Sequence, residues 1–128
     1  MAAGTTPIFP ATPNTYFVQS TAANTNLDGT GTVYTLVTGA TNGTRVDEIR
    51  SKFQVTTTAG MIRYYITKSG GAIRLVHEEE VPAITKSATV RAVEVVWPCS
   101  LLLASGDVIS VSTEIGNACN HWAIVGEF

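Results

Sequence analysis

The stretch Leu36–Val55, LVTGATNGTRVDEIRSKFQV, constrains the fold more than any other part of the chain. It opens in an apolar β-rich run, passes through Gly39-Ala40-Thr41-Asn42-Gly43 and leaves in a long alternating run. Asn42-Gly43 is a strong hairpin signal, because both residues tolerate positive φ and suit the primed turns that match strand twist. Beyond it Ile49, Ser51, Phe53 and Val55 fall on one face and Arg50, Lys52 and Gln54 on the other. That period of two is the mark of a half-buried strand. Val46 is out of phase with the apolar set, so either a β-bulge lies near Asp47-Glu48 or the strand starts after them.

The same grammar recurs along the chain. Tyr16–Ser20 and Thr32–Val37 are short β-rich runs separated by a polar loop that holds Asn24, Asn26, Asp28 and Gly29. Ile62, Tyr64 and Ile66 alternate with Arg63 and Tyr65, Ser69-Gly70-Gly71 turns the chain, and Ile73–His77 returns. Glu78-Glu79-Glu80 is expected to end that strand. Thr89–Trp97 alternates again, Leu101–Leu103 is short, Val108–Thr113 is rich in β-branched residues, and His121–Val125 follows the Gly116-Asn117 turn. Eight or nine short strands with frequent turns and no helical periodicity predict an all-β fold, an antiparallel, jelly-roll-like β-sandwich.

Residues 1–15 differ in kind. Pro7, Pro10 and Pro13 stand among Ala, Gly and Thr. Each proline lacks an amide donor, so an extended arm is expected here, followed by a sandwich domain over 16–128. Ile8 and Phe9 are its large apolar groups, and with Pro7 and Pro10 they form the expected interaction site, an anchor on a neighbouring subunit.

Charged residues make up only 14% of the 128, and Thr, Ser, Asn and Gly fill their place. A surface of hydroxyls and amides is covered by a neighbour without burying many ions, which suits life in an assembly. The net charge of −2 and scattered Lys and Arg leave no electrostatic footprint for a nucleic acid partner. No run approaches the ~20 apolar residues of a membrane-spanning helix. The opening MAAGTTPIFPATP has neither the basic nor the apolar region of a secretory signal, so Cys99 and Cys119 are expected as free thiols in a reducing host cytoplasm.

Chemistry-bearing residues are sparse. Three consecutive Glu rarely converge on one cation, and the Asn24–Gly29 loop lacks the architecture of a calcium loop, so both read as ordinary strand and turn chemistry. His77, His121, Cys99 and Cys119 are zinc-ligand types without a ligand spacing. No nucleophile elbow or triad pattern accompanies either histidine, and no enzymatic activity, cofactor or metal is expected. Tyr64, Tyr65, Phe53, Trp97 and Trp122 are first read as core, with a sugar-binding face as the alternative.

The segments LVTGATNGTRVDEIR, TTTAGMIRYYI, SATVRAVEVVW, LLLASGDVISVSTE and the terminal WAIVGEF resemble small virion proteins of tailed bacteriophages, from about Tyr16 to Phe128. The resemblance implies a capsid decoration, or cement, protein on the capsid surface, with the major capsid protein as partner. A tail- or fibre-associated receptor- or glycan-binding module is the alternative. A homotrimer is expected, since capsid three-fold positions favour a matching symmetry.

Overall fold

The computed structural model describes residues 9–128. Nine strands follow in chain order: β1 Thr12–Ser20, β2 Tyr34–Thr38, β3 Thr44–Phe53, β4 Gly60–Thr67, β5 Ile73–Val81, β6 Glu94–Trp97, β7 Leu101–Leu103, β8 Val108–Thr113 and β9 Cys119–Glu127. They form two antiparallel sheets. Sheet A runs β1-β9-β3-β6, with β7 continuing beside β3, and sheet B runs β2-β8-β4-β5.

The pairs β1–β9, β2–β8, β3–β6/β7 and β4–β5 are the rungs of one long hairpin, here wrapped so that alternate rungs fall in opposite sheets. With β6 and β7 counted as one interrupted strand, this is the jelly-roll order, as the alternating runs predicted. Between the sheets lie Leu36, Val37, Val46, Ile49, Phe53, Ile62, Tyr64, Ile109, Val111, Ala123 and Val125, all buried.

Of the two readings of the out-of-phase Val46, the bulge near Asp47-Glu48 is the one present, and the strand starts before it. Val46 pairs with Val125 and Glu48 with Ile124, leaving Asp47 over, so that Val46 and Ile49 both turn inward. Opposite it the neighbouring strand breaks. Ser100, between β6 and β7, adopts φ 48° and its N–H reaches Asp47 O at 3.3 Å. The bulge and the break therefore share one hydrogen bond.

The hairpin expected at Asn42-Gly43 is not formed. A turn is there, closed by Gly43 N–H to Ala40 O at 2.9 Å, but β2 belongs to sheet B and β3 to sheet A. A primed turn requires positive φ at its central residues, and of this turn only the last residue, Gly43 (φ 98°), has it. The turn is a corner between sheets, not a link within one. By contrast Ser69-Gly70-Gly71 does join two paired strands, β4 and β5.

Three boundaries also move. Glu78-Glu79-Glu80 does not end β5 but lies within it, opposite Arg63, Ile62 and Met61. The alternation seen over Thr89–Trp97 becomes a strand only from Glu94, the earlier residues forming a loop. At the other end β1 begins at Thr12, with Pro13 opposite Gly126, so residues 12–15 of the expected arm lie in a sheet. Being an edge strand, β1 accommodates a proline that a central strand would not.

Residues 21–33 fold over the outer face of sheet B. Asn24 is the clasp: its Nδ2 donates to Thr30 O at 3.0 Å and Thr32 O at 2.9 Å, and its Oδ1 accepts from Asn26 N–H at 2.9 Å. Beneath the loop Tyr65 is fully buried although it points away from the core, and its hydroxyl donates to Asn26 O at 2.9 Å.

Candidate functional site

Strand alternation sorts the residues of sheet A onto two faces. Inward go Ser20, Val46, Ile49, Ser51, Phe53, Cys119, His121, Ala123 and Val125. Outward, the register sets Phe17, Trp122, Arg50 and Val96 in one row and Gln19, Asn120, Lys52 and Glu94 in the next. Thr15, Ile124 and Glu48 form a third row, and Arg45 stands beside Leu102.

This outer face is uncovered among the described residues. Phe17 is 70% exposed, Leu102 73% and Val96 42%. Phe17 stacks on Trp122 with ring centres 6.0 Å apart and planes at 26°. The cations of β3 are engaged locally: Arg45 Nε donates to Asp47 at 2.9 Å, Arg50 Nε to Glu48 at 3.0 Å, and Lys52 Nζ to Ala92 O at 3.4 Å. A partner meeting this face covers apolar groups together with two ion pairs already formed within the chain, Arg45–Asp47 and Arg50–Glu48. A contiguous apolar patch in a sheet face marks an interaction surface, and here the stacked Phe17 and Trp122 are contiguous.

The inner face of the same sheet carries a polar ladder. Ser20 Oγ lies 2.8 Å from His121 Nε2, Ser51 Oγ lies 2.6 Å from His121 Nδ1, and Ser51 Oγ lies 2.7 Å from the Tyr64 hydroxyl. The chain of contacts crosses from sheet A to sheet B with every member fully buried. Burial holds the imidazole down at about 4, pushes the Cys119 thiol up to about 12 and raises the Tyr64 hydroxyl. Serine beside histidine is the beginning of a nucleophilic dyad. Here the dyad is sealed: none of these four residues lines the grooves found among the described residues.

Those grooves are open and lie elsewhere. One of about 420 Å³ runs along Pro82, Ile84 and Ala92–Val96, and another of about 620 Å³ lies by Gly60, Met61 and Val81. Their linings are largely aliphatic and include no aromatic ring, the group that stacks on sugars.

Of the expected interaction site, Pro7 and Ile8 lie outside the described residues. Phe9 is 77% exposed. Pro10 sits on this chain's own sheet, so close to Gly126 that a Cβ there would come within 2.6 Å of the proline Cβ.

The other singled-out residues scatter. Glu78 lies 3.8 Å from Arg63 Nε, Glu79 Oε1 lies 2.7 Å from His77 Nε2, and Glu80 is exposed. No group of three His, Cys, Asp or Glu able to hold a metal exists among the described residues. Asp28 accepts from Thr30 within its turn, and those hydrogen bonds lower its carboxyl. Cys99 and Cys119 are free thiols.

Phe53, Tyr64 and Tyr65 are buried, Trp97 is half-buried against the core and stacks on His77 at 4.3 Å, and Trp122 faces outward. Sequence reading missed Phe17, Val96 and Leu102 as surface groups. Phe17 lies between Thr15 and Gln19 in a polar phase, which is the signal that marks it. For the ladder, the signal was Ser51 in an otherwise apolar phase with Ile49 and Phe53.

No protein-family model matches the sequence, and no curated protein matches it. Among solved structures, those of infectious bursal disease virus overlap 99% of this chain. The Gx strain structure is 12% identical with a TM-score of 0.37, and the Gt strain structure is 14% identical with a TM-score of 0.34. The chain spans 36% of the length of each of those chains. The jelly-roll assignment stands on the strand order, not on that overlap.

Proposed function

We propose that the protein is a structural component of a virus particle, a capsid decoration protein of a tailed phage that binds the assembled head. The outer face of sheet A is its docking surface and the major capsid protein its partner. The observation that carries this reading is that face: uncovered, apolar at Phe17, Trp122, Val96 and Leu102, and crossed by the Arg45–Asp47 and Arg50–Glu48 pairs formed within the chain. The mechanism is mass action, since a protein that binds only the assembled shell stabilises that shell. The reading assigns the chain no reaction and no cofactor, and its virion placement rests on the sequence resemblance.

Cryo-microscopy of purified particles tests it. Regular copies over the head, with sheet A against the shell, are the expected result. Density confined to the tail favours the second reading, a glycan- or receptor-binding module, for which the Phe17–Trp122 stack would be the platform. Particles without the protein overturn both.

A further inference from the structure

Each sheet of an open sandwich ends in unpaired strands, and proteins blunt such edges with charges, prolines, bulges and short length. Three edges here are blunted. β5 has a bulge at Val76 and carries Arg74, Glu78 and Glu80. β2 has five residues with a bulge at Leu36, and the β6/β7 edge begins at Glu94 and is broken after Trp97 by Pro98. β1 is different. Its nine residues, TPNTYFVQS, include no charge and a proline only at the second position, and they pair one-to-one with β9 without irregularity. No described strand lies on its other side.

The hydrogen-bond phase of that edge follows from β9. Gln54 N–H donates to Ala118 O and Phe128 N–H to Gly43 O, so even-numbered residues of this segment bond β3 and odd-numbered ones face β1. Opposite the odd residues stand Asn14, Tyr16, Val18 and Ser20. Thr15, Phe17 and Gln19 therefore turn their N–H and C=O outward, as does Pro13, which has no N–H to leave unpaired. In agreement, Thr15 N–H is taken by Asn14 Oδ1 at 2.8 Å and not by β9.

We propose that β1 pairs antiparallel with β1 of a second copy of this chain, about a two-fold axis through Phe17, joining two A sheets into one. The strand is self-complementary in that register. Phe17 meets Phe17, Tyr16 meets Val18, Thr15 meets Gln19 and Asn14 meets Ser20: aromatic on aromatic, aromatic on β-branched, polar on polar. Phe17, Thr15 and Gln19 exchange their outward backbone groups with the second copy, Thr15 trading Asn14 Oδ1 for Gln19 O. Pro13 falls beyond the partner strand.

Shifting the axis to Tyr16 sets Phe17 on Thr15 and brings Pro13 opposite Gln19, where a donor is lost. Shifting it to Val18 sets Phe17 on Gln19 and Tyr16 on Ser20. A three-fold ring would instead have to place β1 on one of the blunted edges, so the geometry points to two-fold symmetry rather than the trimer expected from sequence. The pairing stands independently of the virion reading.

Sedimentation equilibrium of the full chain up to about 100 µM tests it. The expected mass is twice the 13.5 kDa of one chain. Phe17→Lys sets two ammonium groups opposite each other, and Thr15→Pro removes a donor that the subunit fold does not give to β9. Each should weaken the dimer at least tenfold while the far-UV circular dichroism stays that of the parent.

In a Cys99→Ser background, Phe17→Cys should oxidise to a covalent dimer, because residues on the axis come about 5.5 Å apart at Cα, whereas Gln19→Cys should not. A monomer at all concentrations, a threefold mass, or a dimer indifferent to both Phe17→Lys and Thr15→Pro overturns the proposal.

Discussion

His121 is neutral because burial disfavours the imidazolium, and none of its hydrogen-bond partners is a carboxylate that would offset that cost. Its folded value of about 4 lies below the ordinary 6.5, so between those limits the unfolded chain binds more protons than the folded one. Stability is therefore complete above about pH 6.5 and falls as pH drops towards 4, by at most ~3 kcal/mol. Urea unfolding at pH 7 and pH 4.5 should show that loss. In His121→Gln the loss over this window should vanish, with a lower plateau at pH 7 because Ser20 and Ser51 lose fitted partners. Asp107 acts lower on the scale. It accepts from Lys68 Nζ, Ser69 N–H at 3.0 Å and Ala104 N–H at 2.9 Å, and these bonds hold its carboxyl below the usual range. Its contribution is present above the unfolded value near 3.8 and is lost as pH falls through the folded one. Asp107→Asn should lower the thermal midpoint at pH 7 and shrink the further loss below pH 4.

At the scale of elements, the loop over sheet B hangs on Asn24. Asn24→Ala strands the carbonyls of Thr30 and Thr32 and the N–H of Asn26, at a cost of about 1–3 kcal/mol. Hydrogen exchange should then quicken across residues 21–33 first, with Tyr65 becoming accessible to iodination while Tyr64 stays protected. The segment before β1 has its own contact. Gly126→Ala drives a methyl into Pro10, so the Ala11 amide, which donates to Glu127 O at 2.7 Å, should lose its exchange protection while β1 keeps its own. Strands such as these were legible because side chains alternate with a period of two, and the misfit of Val46 left a bulge or a later strand start open, which the pairing decides for the bulge. Which sheet a strand joins was not legible. Ala40–Gly43 reads the same whether its flanking strands pair or part, and the choice falls to β8 and β9, partners some 70 residues away. Likewise Phe17 shares a run with Tyr16 and Val18, and only pairing with β9 shows which of them turn outward.

For the whole molecule, the two proposals use two different surfaces. The edge of β1 is proposed to take a second copy, and the outer face of sheet A the shell. Val96 and Leu102 lie on the far side of that face from β1, with β9 and β3 between, so they separate the two roles. Both are already exposed in the subunit, and replacing them should hardly change its unfolding. Covering either completely is worth up to ~1.5–3 kcal/mol, and part of that is already gained against the sheet. A net loss of about 1.4 kcal/mol is tenfold in affinity. Val96→Ser with Leu102→Ser should therefore leave the thermal midpoint and the dimer intact and weaken binding to emptied particles at least tenfold. Cosedimentation with stripped shells measures it. Unchanged binding by the double variant would remove the far side of sheet A from the docking surface, whereas lost dimerisation would show that the two surfaces are not separate.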